Sequence, residues 1–444
     1  MEKKQMRKVW IASLVGSAIE WFDYFLYGTV AALVFTQIFF VSEDPTVGLL
    51  LSYASLALAF FIRPFGGIIF SHIGDRIGRK KTLVMTLSLM GVATVLMGLL
   101  PTYQAIGVAA PIILVTLRLI QGLGIGGEWG GALLLAVEYA PKEKRGLFGS
   151  IPQMGVPIGM FLGSGALTFI STTVSTEAFV SWGWRIPFLF SAFLVLFGLW
   201  VRKGIDETPS FKEVQKSGEI PKVPLVDTLK YHWREVLIAI GSKVVETAPF
   251  YIFGTFIVSY GTSNLGFTNT QVLISVMIAT LVTSILIPIM GSLSDKIGRK
   301  KMYIYGAVAM VLYAFPYFWL LEQKTFLTLL IATVIGLGVI WAPITAVLGT
   351  MFSEIFSAKV RYTGVTLGYQ IGAALAGGTA PLVATALLLE FNNSYVPIAI
   401  YIIITGLISL ISIWAVKDRR EEELDDFSKH EKPIKDESEL KTLS

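Results

Sequence analysis

The sequence predicts an all-α membrane protein of twelve transmembrane helices, arranged as two six-helix bundles that repeat one design. Three observations carry this. Hydrophobic residues make up 54% of the 444-residue chain and charged residues only 15%, too apolar a balance for a chain whose whole surface must stay wet. Apolar runs of about 20 residues recur along it, the length set by about 30 Å of hydrocarbon at a 1.5 Å rise per residue. A polar loop, Gly74-Asp75-Arg76-Ile77-Gly78-Arg79-Lys80-Lys81, returns as Ser294-Asp295-Lys296-Ile297-Gly298-Arg299-Lys300-Lys301.

Each element follows from its flanks. Lys3, Lys4, Arg7 and Lys8 lead into a first helix, Trp10–Phe40, too long for a cleaved signal segment. The second, Val47–Ile73, starts after Ser42-Glu43-Asp44 and runs into the first copy of the loop. The third, Thr82–Leu100, stops at Pro101, and the fourth, Ala105–Tyr139, at Pro141. The fifth, Gly146–Thr172, follows Lys144-Arg145, and the sixth is Trp184–Val201. The stretch from Arg202 to His232 is charged and carries Pro209, Pro221 and Pro224, so it reads as a linker. The second half continues with Trp233–Tyr260, Thr270–Leu293, Met302–Leu321, Phe326–Phe352, Arg361–Leu389 and Tyr395–Val416. The tail after Lys417 is highly charged and expected to be disordered. The organisation is therefore residues 1–202 as the N-terminal bundle, 203–232 as linker, 233–417 as the C-terminal bundle and 418–444 as tail.

Loop charge sets the orientation. One set of connections is rich in Lys and Arg, whereas the alternate set has only Lys324. The positive-inside rule then places both termini in the cytoplasm, with the chain in the cell membrane. Arg185, near an outer helix end, is the exception and reads as a structural anchor.

Composition also excludes classes. There is no cysteine and there are three histidines, so no thiolate site, disulfide framework or multi-histidine metal centre is expected. The basic residues sit in particular loops, so the net positive charge signals no nucleic acid. Gly122, Gly124, Gly126 and Gly127 lie mid-helix with no preceding strand and read as close-packing positions, not a dinucleotide loop. No nucleotide-binding loop is evident. No cofactor is expected, and no nucleophile–base pair suggests an enzyme.

A second repeat agrees with the first. Glu138 precedes Arg145 with the spacing that Glu354 has to Arg361, at the junction of the fourth and fifth helices of each half. The repeated loop resembles the signature of the major facilitator superfamily. Glu20-Trp21-Phe22-Asp23-Tyr24, Arg63-Pro64-Phe65-Gly66-Gly67, Arg118-Leu119-Ile120-Gln121-Gly122, Gly126-Gly127-Glu128-Trp129-Gly130-Gly131, Trp182-Gly183-Trp184-Arg185-Ile186-Pro187-Phe188 and Glu207-Thr208-Pro209-Ser210-Phe211 narrow the resemblance to the metabolite:proton symporters. The resemblance implies the major facilitator fold and cargo such as proline, betaine, 2-oxoglutarate, citrate or shikimate. The tail lacks the sustained heptads of osmosensing members, so that function is not expected.

Ionisable groups at bilayer depth are costly and usually functional. Helical geometry places Glu20, Asp23, Tyr24 and Tyr27 within an arc of about 100°, with Asp23 roughly 20 Å into the first helix. Arg63 reaches a similar depth. Arg118 enters from the other side, with Gln121 and Glu128 within roughly 80° of it. Asp23 is the expected proton carrier, with Arg118 as its partner and Glu20 and Glu128 as further candidates. Burial favours the neutral acid and a nearby arginine the anion, so such a site can switch. The related sugar–proton symporters are similar in pairing an acid of the first helix with an arginine of the fourth. Arg63 and Arg118 are the expected grip on a substrate carboxylate. Tyr24, Tyr27, Gln121, Gln153, Tyr251, Trp341, Tyr369 and Gln370 are the further candidate cavity residues. The plainer reading makes the buried charges static ion pairs, and Lys243 with Glu246 can pair along one helix face.

Asp75, Arg76, Gly78, Arg79, Glu138, Arg145, Asp295, Gly298, Arg299, Glu354 and Arg361 are the expected gating residues. Gly78 permits a tight turn, and Asp75 can face a helix N-terminus or an arginine of the neighbouring bundle. Proton symport of a small organic acid or zwitterion, by a monomer alternating access between its halves, is the favoured function. Multidrug:proton antiport would call for a wide, aromatic, weakly polar cavity instead. A non-transporting sensor would keep the fold and lack the intact signature loops.

Overall fold

The computed structural model describes residues 3–77, 79–138, 140–203, 225–356 and 360–416. Eleven helices are long and apolar enough to span a bilayer, and one bent pair makes a twelfth. In chain order they are α1 (Trp10–Ile38), α2 (Pro45–Phe70), α3 (Lys81–Leu99), α4 (Ala109–Gly126), α5 (Lys142–Thr173) and α6 (Thr176–Gly183 with Arg185–Val201, bent by 44°). Then follow α7 (Trp233–Asn264), α8 (Asn269–Ile297), α9 (Arg299–Leu321), α10 (Phe326–Ile355), α11 (Arg361–Glu390) and α12 (Val396–Trp414). No strand occurs among the described residues. The expected fold class holds, and the chain is a multi-pass membrane protein.

Burial separates inner from outer helices. The apolar window of α1 is 89% buried and that of α7 78%, against 39% for α12. The first helix of each half therefore lies inside, and α12 turns mostly to lipid. Within the first half α1 packs on α5, α2 on α4 and α3 on α6. Within the second, α7 packs on α11 and α12, and α9 on α12. Two seams join the halves, α5 against α8 and α2 against α11. They exchange places under the sequence repeat, as a twofold arrangement requires.

Local devices shape these helices. Thr268 caps α8 in a reciprocal pair with Gln271. Gly298, between α8 and α9, has φ 102° and ψ 142°, a conformation that only glycine takes without strain. The tight turn expected of the repeated loop is thus present in its second copy. Gly78 lies outside the described residues. Wide π-type turns interrupt α1 at Ala31–Phe35, α7 at Ile252–Phe256, α10 at Val334–Ile340 and α11 at Ala374–Gly378. Such bulges re-aim side chains and concentrate at functional places.

The fourth helix departs from expectation. Instead of one run over 105–139 it breaks at Gly127-Glu128 and resumes as Trp129–Glu138. The cause is its contact with α2. A Cβ on Gly126 would stand 2.0 Å from the Arg63 carbonyl oxygen, and one on Gly127 would stand 2.4 Å from the Phe70 Cβ. Backbone lies on backbone there, and the turn tightens as Gly127 and Glu128 bond the carbonyls three residues back, at 3.4 and 3.3 Å. The close-packing reading of this glycine run agrees with these contacts.

Candidate functional site

The middle of the first half holds an ordered chain of donors. Asp23, on α1, accepts a hydrogen bond from the Ser191 hydroxyl of α6 and another, 3.0 Å long, from Thr94 Oγ1 of α3. Gln121 Nε2 donates to Thr94 Oγ1 at 2.8 Å, and Arg118 Nη1 donates to Gln121 Oε1. Asp23 and Arg118 therefore do not meet directly, contrary to the expected pair. The physical reason is competition: two hydroxyls fill the carboxylate, and the arginine turns to two rings. Its guanidinium carbon lies 3.9 Å from the Tyr24 ring centroid and 4.1 Å from that of Tyr27, favourable for a desolvated cation. Tyr27 also bonds Ser55 of α2 at 2.6 Å. The arc of α1 is thus divided, with Asp23 facing α3 and α6 and Tyr24 facing α2 and α4.

Arg63 sits on the other face of this cluster. Its guanidinium lies 4.1 Å from both Tyr24 and Phe60 and 5.3 Å from Trp21. It is fully buried, yet none of its three nitrogens has a hydrogen-bond partner among the described residues. Arg118 Nε and Nη2 and the Tyr251 hydroxyl are in the same condition. Buried donors in proteins are ordinarily satisfied, and this concentration of unsatisfied ones sets the centre apart.

The second half contributes a charged pair and aromatic rings. Lys243 Nζ bonds Glu246 Oε2 on α7, as their spacing suggested, and lies 3.7 Å from the Tyr369 ring centroid of α11. Thr247 Oγ1 donates to Glu246 Oε2 at 2.9 Å and Thr345 Oγ1, from α10, to Oε1 at 3.1 Å. The Trp341 indole N–H donates to the Glu246 backbone carbonyl. Tyr369 stacks on Trp129 of the first half at 3.4 Å. A narrow pocket lies between the halves, lined by Trp21, Phe60, Lys243, Glu246, Tyr251 and Tyr369 among others.

Other predicted residues bridge the halves rather than line this cavity. Gln153 accepts from Trp129 Nε1 at 3.1 Å and donates to the Thr345 carbonyl at 3.3 Å. Gln370 donates to the Gly126 carbonyl at 3.4 Å. Glu20 and Glu128 are both buried. Arg185 donates to the Gly98 and Leu100 carbonyls at 2.8 and 2.7 Å. It caps the end of α3 with a cation, where the helix dipole favours one, and so serves structure.

At the end carrying the repeated loops, Asp295 reaches across the α5–α8 seam. Its two oxygens accept from the backbone N–H groups of Gly146, at 2.7 Å, and Leu147, at 3.0 Å. Those groups open the helix Arg145–Ser150, whose unpaired N–H groups suit an anion. Arg299 donates to Asp295 Oδ1 at 2.9 Å and pairs with Glu354 at 3.1 Å. Thr350 Oγ1 bonds the Arg145 carbonyl at 3.2 Å, and Arg361 Nε bonds the Phe356 carbonyl at 3.3 Å. Gly146 and Gly291 touch through their main chains: a Cβ on the first would lie 2.5 Å from the carbonyl oxygen of the second. The side chains of Asp75, Arg76, Arg79 and Glu138 lie outside the described residues. At the opposite end Tyr53 bonds Ser259 across the halves at 2.9 Å.

Sequence reasoning overlooked Thr94 and Ser191, which hold Asp23, and Trp21, Phe60 and Trp129 at the centre. A hydroxyl or ring in an apolar helix carries no signal of its own until a partner helix is known. Only Trp21 and Trp129 sat within motifs already singled out.

The sequence pattern of the Major Facilitator Superfamily matches residues 13–367 and 244–442. A shikimate transporter of Escherichia coli K12 is 39% identical over 414 residues, covering 93% of this chain and 94% of its own. A proline/betaine transporter of Salmonella typhimurium is 34% identical over 426 residues, covering 93% and 84%. The solved structure of the proton:xylose symporter XylE bound to 6-bromo-6-deoxy-D-glucose matches at TM-score 0.77, over 97% of this chain and 99% of that one. At 17% identity it speaks for the fold alone.

Proposed function

The chain belongs to the major facilitator superfamily and is a membrane transporter rather than an enzyme; from that premise we propose that it is a proton symporter of a small organic acid or zwitterion. The observation that carries this is the pair of buried arginines, Arg63 and Arg118, on either side of Tyr24, with guanidinium N–H groups unspent among the described residues. A carboxylate accepts two parallel bonds from such a group. Shikimate, proline and betaine, named for the relatives, all bear one. The central pocket is lined by the charged pair Lys243 and Glu246, which favours small polar cargo over multidrug antiport.

Asp23 takes a coupling proton in this reading. As a carboxylate it accepts from Thr94 and Ser191 and holds the Thr94–Gln121–Arg118 chain in one direction. Protonation gives it a hydrogen of its own, reverses part of that chain and frees Arg118 for cargo. Residues 1–202 and 233–417 are the two bodies that rock about the site. Asp295, Arg299, Glu354 and the Gly146–Gly291 contact form the cytoplasmic gate. Both termini face the cytoplasm, and one copy suffices.

The test uses purified protein in liposomes with a pH dye inside. 2-Oxoglutarate, citrate, shikimate, simple monocarboxylates, proline and betaine are added one at a time. Internal acidification that needs both protein and one compound, above leakage through empty liposomes, supports the reading and identifies the cargo class. Silence from all of them, with radiolabelled counterflow also silent, rejects it.

A further inference from the structure

The Lys243–Glu246 pair faces the central cavity and is unlike a static bridge in two ways. First, Lys243 has one acceptor among the described residues, Glu246 Oε2; its remaining contact is the face of Tyr369. A cargo carboxylate that takes the place of Glu246 on the ammonium therefore breaks only that one bond. Second, the groups around Glu246 serve either protonation state. Thr247 Oγ1 donates to Oε2 at 2.9 Å but also stands 2.8 Å from the Lys243 carbonyl oxygen. It can turn its hydrogen to that carbonyl and accept one from a protonated acid, because a hydroxyl is donor and acceptor at once. Thr345, at 3.1 Å from Oε1, has the same capacity.

The surroundings limit what else can answer a charge here. Lys243 is the cation bonded to Glu246, and Tyr303 on α9 and Tyr369 on α11 feel the charge of Glu246; Arg63 on α2 acts on Lys243, Tyr251 and Tyr369, and Glu20 on α1 acts on Tyr369. From α10 come the neutral donors Thr345 and Trp341, and from α12 Ser409, which bonds the α7 backbone. The cation nearest to hand for Glu246 is therefore Lys243.

We propose that Lys243 is the C-terminal half's ligand for an anionic cargo and that Glu246 takes up a proton when the cargo displaces it. This rests on the reading of the protein as a proton symporter of carboxylate-bearing cargo, and it commits that reading to a net anion. The exchange balances. The Lys243–Glu246 contact is replaced by Lys243–carboxylate, one proton from the medium forms an O–H bond on Glu246, and the net charge of the site is unchanged. Without that proton an unpaired buried carboxylate is left behind, which is strongly unfavourable. Binding of anion and proton are thereby linked at one place. The cations at the centre agree with an anion: Arg63, Arg118 and Lys243 lie over the rings of Tyr24, Tyr27, Phe60 and Tyr369.

The test places wild type, Glu246→Gln, Lys243→Gln and the double variant in dye-loaded liposomes, with shikimate or whichever acid of the panel acidifies wild-type vesicles. E246Q is expected to take up about one proton fewer per cargo molecule and to acidify the vesicles correspondingly less, because Asp23 alone still exchanges a proton. K243Q is expected to raise the half-saturating concentration for counterflow at least about tenfold, a loss of the order that one charged hydrogen bond provides. Wild-type acidification by E246Q, or wild-type behaviour of the double variant, overturns the proposal and leaves the symport reading standing. Wild-type protein that acidifies with proline or betaine but no acid overturns the anion commitment, and silence from every compound removes both readings. If E246Q does not fold, infrared difference spectra of Asp23→Asn protein decide. Shikimate must then produce a new carboxylic-acid carbonyl band, and its absence overturns the proposal.

Discussion

Replacing Asp295 by Asn tests the gate where its energy is most concentrated. The carboxylate accepts from two backbone N–H groups across the seam, at 2.7 and 3.0 Å, and from Arg299 at 2.9 Å. An amide has one acceptor oxygen, so at least one of the two cross-seam bonds is lost and its NH₂ opposes a backbone N–H. A hydrogen bond to a charged group contributes about 1.5–3 kcal/mol. At about 1.4 kcal/mol per factor of ten, the open-to-closed ratio at this end rises roughly 10- to 150-fold. The chain has no cysteine, so a single Ser353→Cys reports without background. Ser353 is fully buried near the gate, and its thiol reacts with a maleimide only when the gate opens. The rate of labelling from the cytoplasmic side should rise by that factor in D295N/S353C over S353C. Equal rates in the two proteins would refute the assignment of Asp295 as the gate's closing contact.

Three further outcomes are expected. Asp23→Asn should lower proton-driven accumulation well below wild type while leaving counterflow, and full accumulation by that variant removes Asp23 from coupling. Arg63→Lys should raise the KM for acid uptake roughly 10- to 100-fold, because a point charge replaces a planar fork; an unchanged KM makes Arg63 a packing residue. Gly126→Ala puts a methyl 2.0 Å from the Arg63 carbonyl oxygen and should destabilise the protein by about 1–3 kcal/mol, read as a lower melting temperature in detergent.

The fold was legible because its determinants are one-dimensional. Span length, loop charge and a repeated octapeptide all survive without knowledge of neighbours. The break in the fourth helix was harder to see, since it arises where glycines on α4 let the main chain of α2 approach. The site divides in the same way. Periodicity placed Asp23, Tyr24 and Tyr27 on one arc, but which helix faces each part of that arc is a tertiary fact. Ser191 and Thr94 therefore went unseen, and Asp23 reaches Arg118 only by way of Thr94 and Gln121. The spacing of Lys243 and Glu246 predicted their contact and said nothing of the cavity beside it. Asp295 binds main-chain N–H groups of Gly146 and Leu147, and a backbone donor leaves no mark in a sequence.

The meeting of Gly146 with Gly291 bears on how the halves move. Main chain rests on main chain there, with no long side chain to stretch, swing or follow a retreating partner. Dispersion between such atoms fades within an ångström of separation, and the short bonds to Asp295 tolerate little more. A slight tilt therefore forfeits nearly the whole contact, and a larger one forfeits little extra. On the proposed reading the seam is a short-range latch: most of its hold is gone within the first ångström of parting, so whatever keeps the halves apart after that must come from contacts elsewhere.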